Sequence, residues 1–329
     1  MRILILGAAG MVGRKLTEAL LAEGTLAGET IEAIDAFDVV APDVSNVPDG
    51  VAVNAQAGDI ADEATVAALV AKRPDMIFHL AAIVSGEAEA DFEKGYRINM
   101  SGMQHLLEAI RGQEGVYRPR LVFTSSIAVF GAPFEDKIAD TFLAAPLTSY
   151  GTQKAICELL LSDYTRKGFV DGVAIRLPTI VVRPGKPNKA ASSFFSGIIR
   201  EPLAGQEAIL PVDDEVRHWV ASPAAAVGFL LHAATMDTDL LGPRRALTMP
   251  GLSVTIAEMI EALRAVAGDE VAGRIRREPD AVIEKIVAGW PRDFDARRAL
   301  EAGFTADRDF QSIIRAHIAD EAVRAGGQS

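Results

Sequence analysis

At 329 residues the chain is long enough for one large domain or two ordinary ones, and its 49% hydrophobic and 24% charged residues exclude a polymer too polar to fold. A formal charge of −12 repels phosphate backbones and argues against a nucleic-acid partner. The single cysteine, Cys157, excludes an intramolecular disulfide; no Cys/His pairs stand at zinc spacing and no apolar run approaches the ~18 residues of a membrane span. The reading is a soluble cytoplasmic protein with no metal site and no membrane partner, whose first residues are structure and not a signal peptide.

In chain order, short runs rich in Ile, Val and Leu predict strands over 2–6, 31–36, 51–54, 76–80, 121–124 and 173–177. Helical patterns lie between them over 11–22, 62–72, 91–111 and 150–167. That alternation predicts an α/β fold, a doubly wound parallel sheet of the Rossmann type. After Pro178, prolines at 184, 187, 202 and 211 break the chain before helices return at 223–234 and 256–267. Residues 1–180, rejoined by 214–242, are therefore expected to form a dinucleotide domain, with 181–213 and 243–329 making a smaller substrate-binding lobe. A last helix over 310–324 puts Phe310, Ile313, Ile314, Ile318 and Ala322 on one face.

The chemistry begins at Gly7-Ala8-Ala9-Gly10-Met11-Val12-Gly13, a glycine turn that leaves the first strand and enters the first helix. Gly7, Gly10 and Gly13 let backbone N–H groups approach a pyrophosphate and aim the positive helix end at it. Asp35, 22 residues beyond Gly13, is read as the carboxylate that accepts both hydroxyls of an adenosine ribose, although a solvated strand-end aspartate fits the spacing too. With Asp38 nearby and no arginine between them, a 2′-phosphate is repelled, so NAD is favoured over NADP. Asp59 and Ile60, after the third strand, can meet the adenine.

Tyr150 and Lys154 stand one helical turn apart, on one helix face. A free phenol titrates near ~10 and is a poor base at neutral pH, but a neighbouring ammonium favours its ionised form. Ser126 ends a predicted buried strand at the sheet's carboxyl edge and can hold the reacting oxygen. For an anionic substrate, residues 183–189 supply three bases and no acid, and Arg217 can fork a carboxylate. Lys189, His218 and Ser85 are further candidates for polar contacts to the substrate. Each has a plain structural alternative.

Together these motifs resemble the extended short-chain dehydrogenase/reductases of the epimerase/dehydratase superfamily, over essentially the whole chain. The resemblance implies catalytic roles for Ser126, Tyr150 and Lys154. It also implies cofactor contacts from Met11, Val12, Leu80, Ala81, Ala82, Asn99, Pro178 and Ile180, and a substrate contact from Thr179. Phe130 replaces the tyrosine usual after the serine, a change expected to bear on packing. Segments 184–189, 217–220 and 290–295 further resemble the D-erythronate dehydrogenase branch, implying NAD-dependent oxidation of C2 of a four-carbon sugar acid. A nucleotide-sugar 4-epimerase would use the same residues, and a non-catalytic dinucleotide sensor would keep only the glycine turn. Members of the superfamily often dimerise through helices corresponding to 91–111 and 150–167, so a homodimer is expected.

Overall fold

The computed structural model of the chain describes residues 1–185 and 191–326. The first half runs β1 (Arg2–Leu6), α1 (Met11–Glu23), β2 (Ala33–Asp38), β3 (Ala52–Ala57), α2 (Glu63–Val70), β4 (Met76–His79), α3 (Gly102–Arg111), β5 (Arg120–Ser126), α4 (Ser149–Arg166) and β6 (Asp171–Leu177). Then come β7 (Thr179–Ile180), α5 (Ser193–Leu203), β8 (Arg217–Ala221), α6 (Pro223–Thr235), β9 (Ala246–Thr248), β10 (Leu252–Thr255), α7 (Ile256–Ala267) and α8 (Phe310–Gly326). Seven strands form one parallel sheet in the order β9-β6-β5-β4-β1-β2-β3.

Side-chain alternation builds the two layers of helices. In β1, Ile3 and Ile5 face a core shared with Leu16, Leu20, Phe229 and Leu230, whereas Leu4 and Leu6 face Val66, Leu106, Leu107 and Leu161. Both faces of β1 are thus buried, which is why the strand reads as a continuous apolar run. Fully burying each of these side chains contributes about 1.5–3 kcal/mol. The strand order reverses at β1, so its carboxyl end opens the crevice in which such sheets bind ligands.

Several expectations change. A hairpin of Thr25–Leu26 with Glu29–Thr30 intervenes after α1, and β2 lies two residues later than the pattern 31–36 suggests. The predicted helix 91–111 is instead a short helix, Phe92–Gly95, a π-helical turn, Tyr96–Ser101, and α3. Residues 246–248, read from sequence as part of the lobe, are β9 and add the seventh strand beside β6.

A second core packs Val181, Phe195, Ile199, Met259, Ile313 and Ile314 beneath a three-stranded sheet, β7-β8-β10. The cores meet on β8, where Val220 belongs to the second core and Ala221 to the first. α6 then returns to pack on α1, β5 and β6. In α8, Phe310, Ile313 and Ile314 dock as expected, but Ile318 and Ala322 are exposed, in a stretch whose Asp320 pairs with Lys15 of α1 at 2.6 Å. No described helix is long and apolar enough to cross a membrane.

Candidate active site

The glycine turn is built by close backbone packing. Gly7 has φ +93°, and its N–H donates to the Phe37 carbonyl at 2.8 Å. A Cβ at Gly7 would sit 2.6 Å from the Ala81 nitrogen, and one at Gly13 would sit 2.1 Å from the Gly7 carbonyl oxygen. Both positions therefore require glycine. Gly10 is different: a Cβ there would meet nothing nearer than 3.4 Å, and as N-cap of α1 it offers no side-chain bond to the helix. The first-turn N–H groups of α1 are thus uncapped by any side chain and suit a pyrophosphate. This cradle fits a dinucleotide.

The structure does not put Asp35 beside the glycine turn. Asp35 lies in mid-strand opposite Leu4, accepting from Lys72 Nζ at 2.6 Å and Asn54 Nδ2 at 2.9 Å. It is part of the sheet's flank and is spent on protein partners. Asp38 ends β2 beside the glycine turn, where its Oδ2 accepts from the Ala9 N–H at 2.9 Å. The hairpin lies between α1 and β2, and the strand that follows ends on Asp38, three residues beyond Asp35.

Asp59 is half-exposed and accepts from Arg97 and from the Ala61 N–H; burial acts to raise its pKa, but these partners hold it below its ordinary value. Ile60 is buried in the core against Gly102, so its side chain does not line an adenine pocket. Asn99, in the π-helical turn, accepts from the Ile83 N–H at 2.9 Å and donates to Gln153 Oε1 at 2.8 Å. It braces the segment after β4 through protein bonds and makes its contribution indirectly.

From Met11 and Val12, past Leu80 and Ala82, a cavity of about 390 Å³ runs to Ser126, Tyr150 and Lys154 and on to Thr179 and Arg183. Ala81 lies behind it, against Gly7. Pro178 and Ile180 are on its wall. The cavity joins the glycine turn to the Tyr/Lys pair in one continuous space.

Lys154 is 2% exposed and donates from Nζ to the Thr124 carbonyl at 2.7 Å. Its Nζ stands 5.6 Å from the centre of the Tyr150 ring and 4.6 Å from that of Phe123. The pair therefore shares one wall, as the helical spacing predicts. The expected electrostatics are different, however. Burial pushes the Tyr150 phenol up to about 12, opposed by the Ser126 hydroxyl and the Arg183 guanidinium. Burial also brings the Lys154 ammonium down to about 8, against the pull of Cys157 and Glu158. In the protein by itself desolvation outweighs Ser126 and Arg183, and the Lys154 ammonium is directed at the Thr124 carbonyl.

Behind the lysine lies a buried polar network that the sequence reading missed. Glu158, one turn beyond Lys154, accepts from Ser125 Oγ at 2.5 Å and from Arg176 at 2.9 and 2.8 Å. Arg176 also faces Asp140 at 3.5 Å. The repeat of Tyr150, Lys154 and Glu158 at four-residue steps was the available signal. His79 is buried on the same side, edge-on to Phe123, and burial followed by the Lys154 charge lowers its pKa to about 3. Phe130 packs under the Arg176 guanidinium, at 4.8 Å, and against Phe142 and Phe294.

The far wall comes from the lobe. Thr179 Oγ1 and His218 Nε2 are 2.7 Å apart, and His218 is stacked on Phe195 with Trp290 beside it. Burial lowers the His218 pKa to about 4, against the pull of the Pro291 carbonyl, so its imidazole is neutral near pH 7. Ser85 lines the cavity from the start of a short helix. Arg217 does not: its Nη1 donates to the Ser253 carbonyl at 2.8 Å and lies 3.5 Å from Glu258. Successive strand residues point to opposite faces, so the strand that turns His218 inward turns Arg217 out. Lys189 falls outside the described residues. Besides Lys154, the cation that lines the cavity among the described residues is Arg183, which the sequence reading placed only within a basic segment.

Residues 3–240 match the model of the NAD dependent epimerase/dehydratase family. The chain is 48% identical over 324 residues to the D-erythronate dehydrogenase of Cupriavidus necator, covering 97% of this chain and 98% of that one. With the D-erythronate dehydrogenase of Haemophilus influenzae it shares 41% identity over 318 residues, 97% of this chain and 99% of the relative. Among solved structures, that of a nucleoside-diphosphate-sugar epimerase from Agrobacterium tumefaciens superposes with a TM-score of 0.95 at 59% identity, covering 98% of this chain and 94% of that one. L-threonine 3-dehydrogenase of Trypanosoma brucei shares the fold, with a TM-score of 0.84 at 23% identity over 99% of this chain and 98% of that one.

Proposed function

The chain belongs to the NAD dependent epimerase/dehydratase family, and from that premise we propose that it oxidises the C2 hydroxyl of D-erythronate, or a close four-carbon sugar acid. The observation that carries the proposal is the single cavity that joins the glycine turn to Ser126, Tyr150 and Lys154. When bound, NAD supplies the hydride acceptor and a cationic nicotinamide. The uncapped start of α1 takes the pyrophosphate, and Asp38 takes the adenosine ribose.

Tyr150 is the general base for the substrate hydroxyl, and Ser126 orients that oxygen. Lys154, whose Nζ donates to the Thr124 carbonyl, would hold the cofactor ribose with its remaining N–H donors and contributes positive charge near the phenol. Burial raises the phenol's pKa in the protein alone, and the positive charge of a bound nicotinamide would favour its ionised form. General base catalysis of this kind is worth about 10² to 10⁴ in rate. The lobe selects the substrate. Thr179, held by a neutral His218, presents its hydroxyl oxygen to the remaining hydroxyls of a short polyol acid, and Trp290 closes the end of the cavity.

Likeness to the Agrobacterium epimerase favours a second reading, in which a sugar nucleotide is epimerised and the hydride returned. One assay separates them: purified protein with NAD, and with D-erythronate, other four-carbon hydroxy acids or UDP-sugars. Net NADH with the acids alone supports the dehydrogenase; epimerised UDP-sugar without net NADH supports the other. A dinucleotide sensor would do neither, and the presence of Ser126, Tyr150 and Lys154 in one cavity speaks against it. We also propose a cytoplasmic homodimer packed through the 91–111 and 150–167 segments, where Phe92 is 61% and Leu159 73% exposed.

A further inference from the structure

We infer that Arg183 is the receptor for the substrate's carboxylate, so that the cavity is built for 2-hydroxy acid anions and not for neutral polyols or sugars. The inference rests on the reading of this cavity as the seat of a small-acid oxidation. Among the described residues, the cavity is lined by two charged cations, Lys154 and Arg183, and by no carboxylate, in a chain whose net charge is −12. Lys154 is committed to Thr124 beneath the phenol. That leaves Arg183 to meet an anion.

Among the described residues, the guanidinium is anchored through Ser192. Its Nη2 donates to Ser192 Oγ at 2.9 Å and to the Ser192 carbonyl at 3.3 Å, both neutral acceptors. Its backbone is held as well: the N–H donates to Ser196 Oγ at 3.0 Å, and the carbonyl accepts from Arg200 Nη1 at 2.6 Å. A fixed planar fork suits a carboxylate, which can accept two parallel N–H bonds. Other arginines of the molecule already have acids: Arg176 has Glu158, Arg200 has Glu201 and Arg217 has Glu258. The charges acting on Arg183 are those of Arg200, which disfavours its positive form, and of Tyr150, which favours it. A half-buried cation beside another cation gains from an incoming anion more than a solvated one would.

Position also bears on which carbon reacts. Arg183 and Tyr150 are close enough for each to shift the proton affinity of the other. Both side chains line one cavity, so a carboxylate on the guanidinium and a hydroxyl at the phenol belong to one substrate, and in a 2-hydroxy acid that hydroxyl is on the adjacent carbon. That carbon is C2.

The test compares wild type, Arg183→Lys and Arg183→Met, each loaded with NADH so that nothing turns over, and titrates D-erythronate and its neutral primary amide. Wild type binds the acid much more tightly than the amide. Arg183→Met is expected to lose about 100-fold in acid affinity, with amide and NADH affinities unchanged, while Arg183→Lys falls between. The unchanged amide and NADH affinities also establish that the variant is folded. Acid affinity within about threefold of wild type in Arg183→Met, or a wild type that treats acid and amide alike, overturns the inference. Wild-type turnover is scored separately: Arg183-dependent acid binding without NADH formation from D-erythronate removes the proposed reaction and leaves the receptor. NADH formation with Arg183-independent binding does the reverse.

Discussion

The two ends of the cavity are made of different material. At the dinucleotide end, contacts come from backbone: the Gly7 turn pressed on Ala81, the uncapped start of α1 and the carboxyl edges of β1, β2 and β4. At the substrate end they come from side chains on segments far apart in sequence: Thr179, Arg183, His218 and Trp290. A backbone cradle follows from sheet topology and tolerates little change, because an added methyl at Gly7 or Gly13 collides with main-chain atoms. A side-chain wall can be altered one contact at a time without disturbing the sheet. The contrast teaches that cofactor use is tied to the fold, whereas substrate choice is carried by the lobe.

Five perturbations would break or sharpen that contrast. Tyr150→Phe, at the junction of the two ends, should lower kcat by about 10³-fold while NAD affinity, measured by calorimetry, stays at the wild-type value. Lost NAD affinity would mean the junction is not separable from the cradle.

Each end also buries a neutral imidazole, His79 near the cradle and His218 in the wall. Both stay unprotonated in the folded chain down to about 3 and about 4, but take up a proton in the unfolded chain near ~6.5. The unfolded chain therefore binds more protons, and stability falls as pH drops from ~6.5 toward the folded values. Each contributes a loss of about 2 kcal/mol at pH 5, measurable by urea titration, and His79→Leu should flatten the slope.

Smaller effects separate the ends. Thr179→Val leaves His218 Nε2 without its partner and should lower kcat/KM for the acid by about 10- to 100-fold, through KM, with NAD affinity unchanged. Asp38→Ala should weaken NAD by about 10-fold. Asp35→Ala should leave NAD affinity alone and cost about 1 kcal/mol in thermal unfolding through loss of the Lys72 and Asn54 bonds. If Asp35→Ala weakens NAD as much as Asp38→Ala, the placement of the ribose is wrong.

Legibility in the sequence followed the same division. The run at Ile3–Leu6 and the glycines after it are readable because burial on both faces and backbone contact leave few residue choices. Tyr150, Lys154 and Ser126 are readable because one helix and one strand end carry them. Asp38 was passed over as the ribose candidate because the six-residue hairpin over 25–30 shifts the following strand without leaving a mark in the apolar pattern. Arg217 was misplaced because a pair of adjacent polar residues looks like one site, yet the strand sends them to opposite faces. Arg183 and Trp290 come to one cavity only in three dimensions, and no local periodicity marks them. The desolvation that raises the Tyr150 phenol's pKa is likewise a property of the folded wall around it.

The central claim is hydride transfer from C2 of a small hydroxy acid with Tyr150 as the base. The direct measurement is a single turnover of D-erythronate deuterated at C2, with wild type and Tyr150→Phe, following the label by mass spectrometry. The account predicts deuterium in the reduced nicotinamide and a 2-oxo acid product with wild type, and neither with Tyr150→Phe on the same timescale. Deuterium retained in the sugar acid, or transfer at an undiminished rate by Tyr150→Phe, would contradict it.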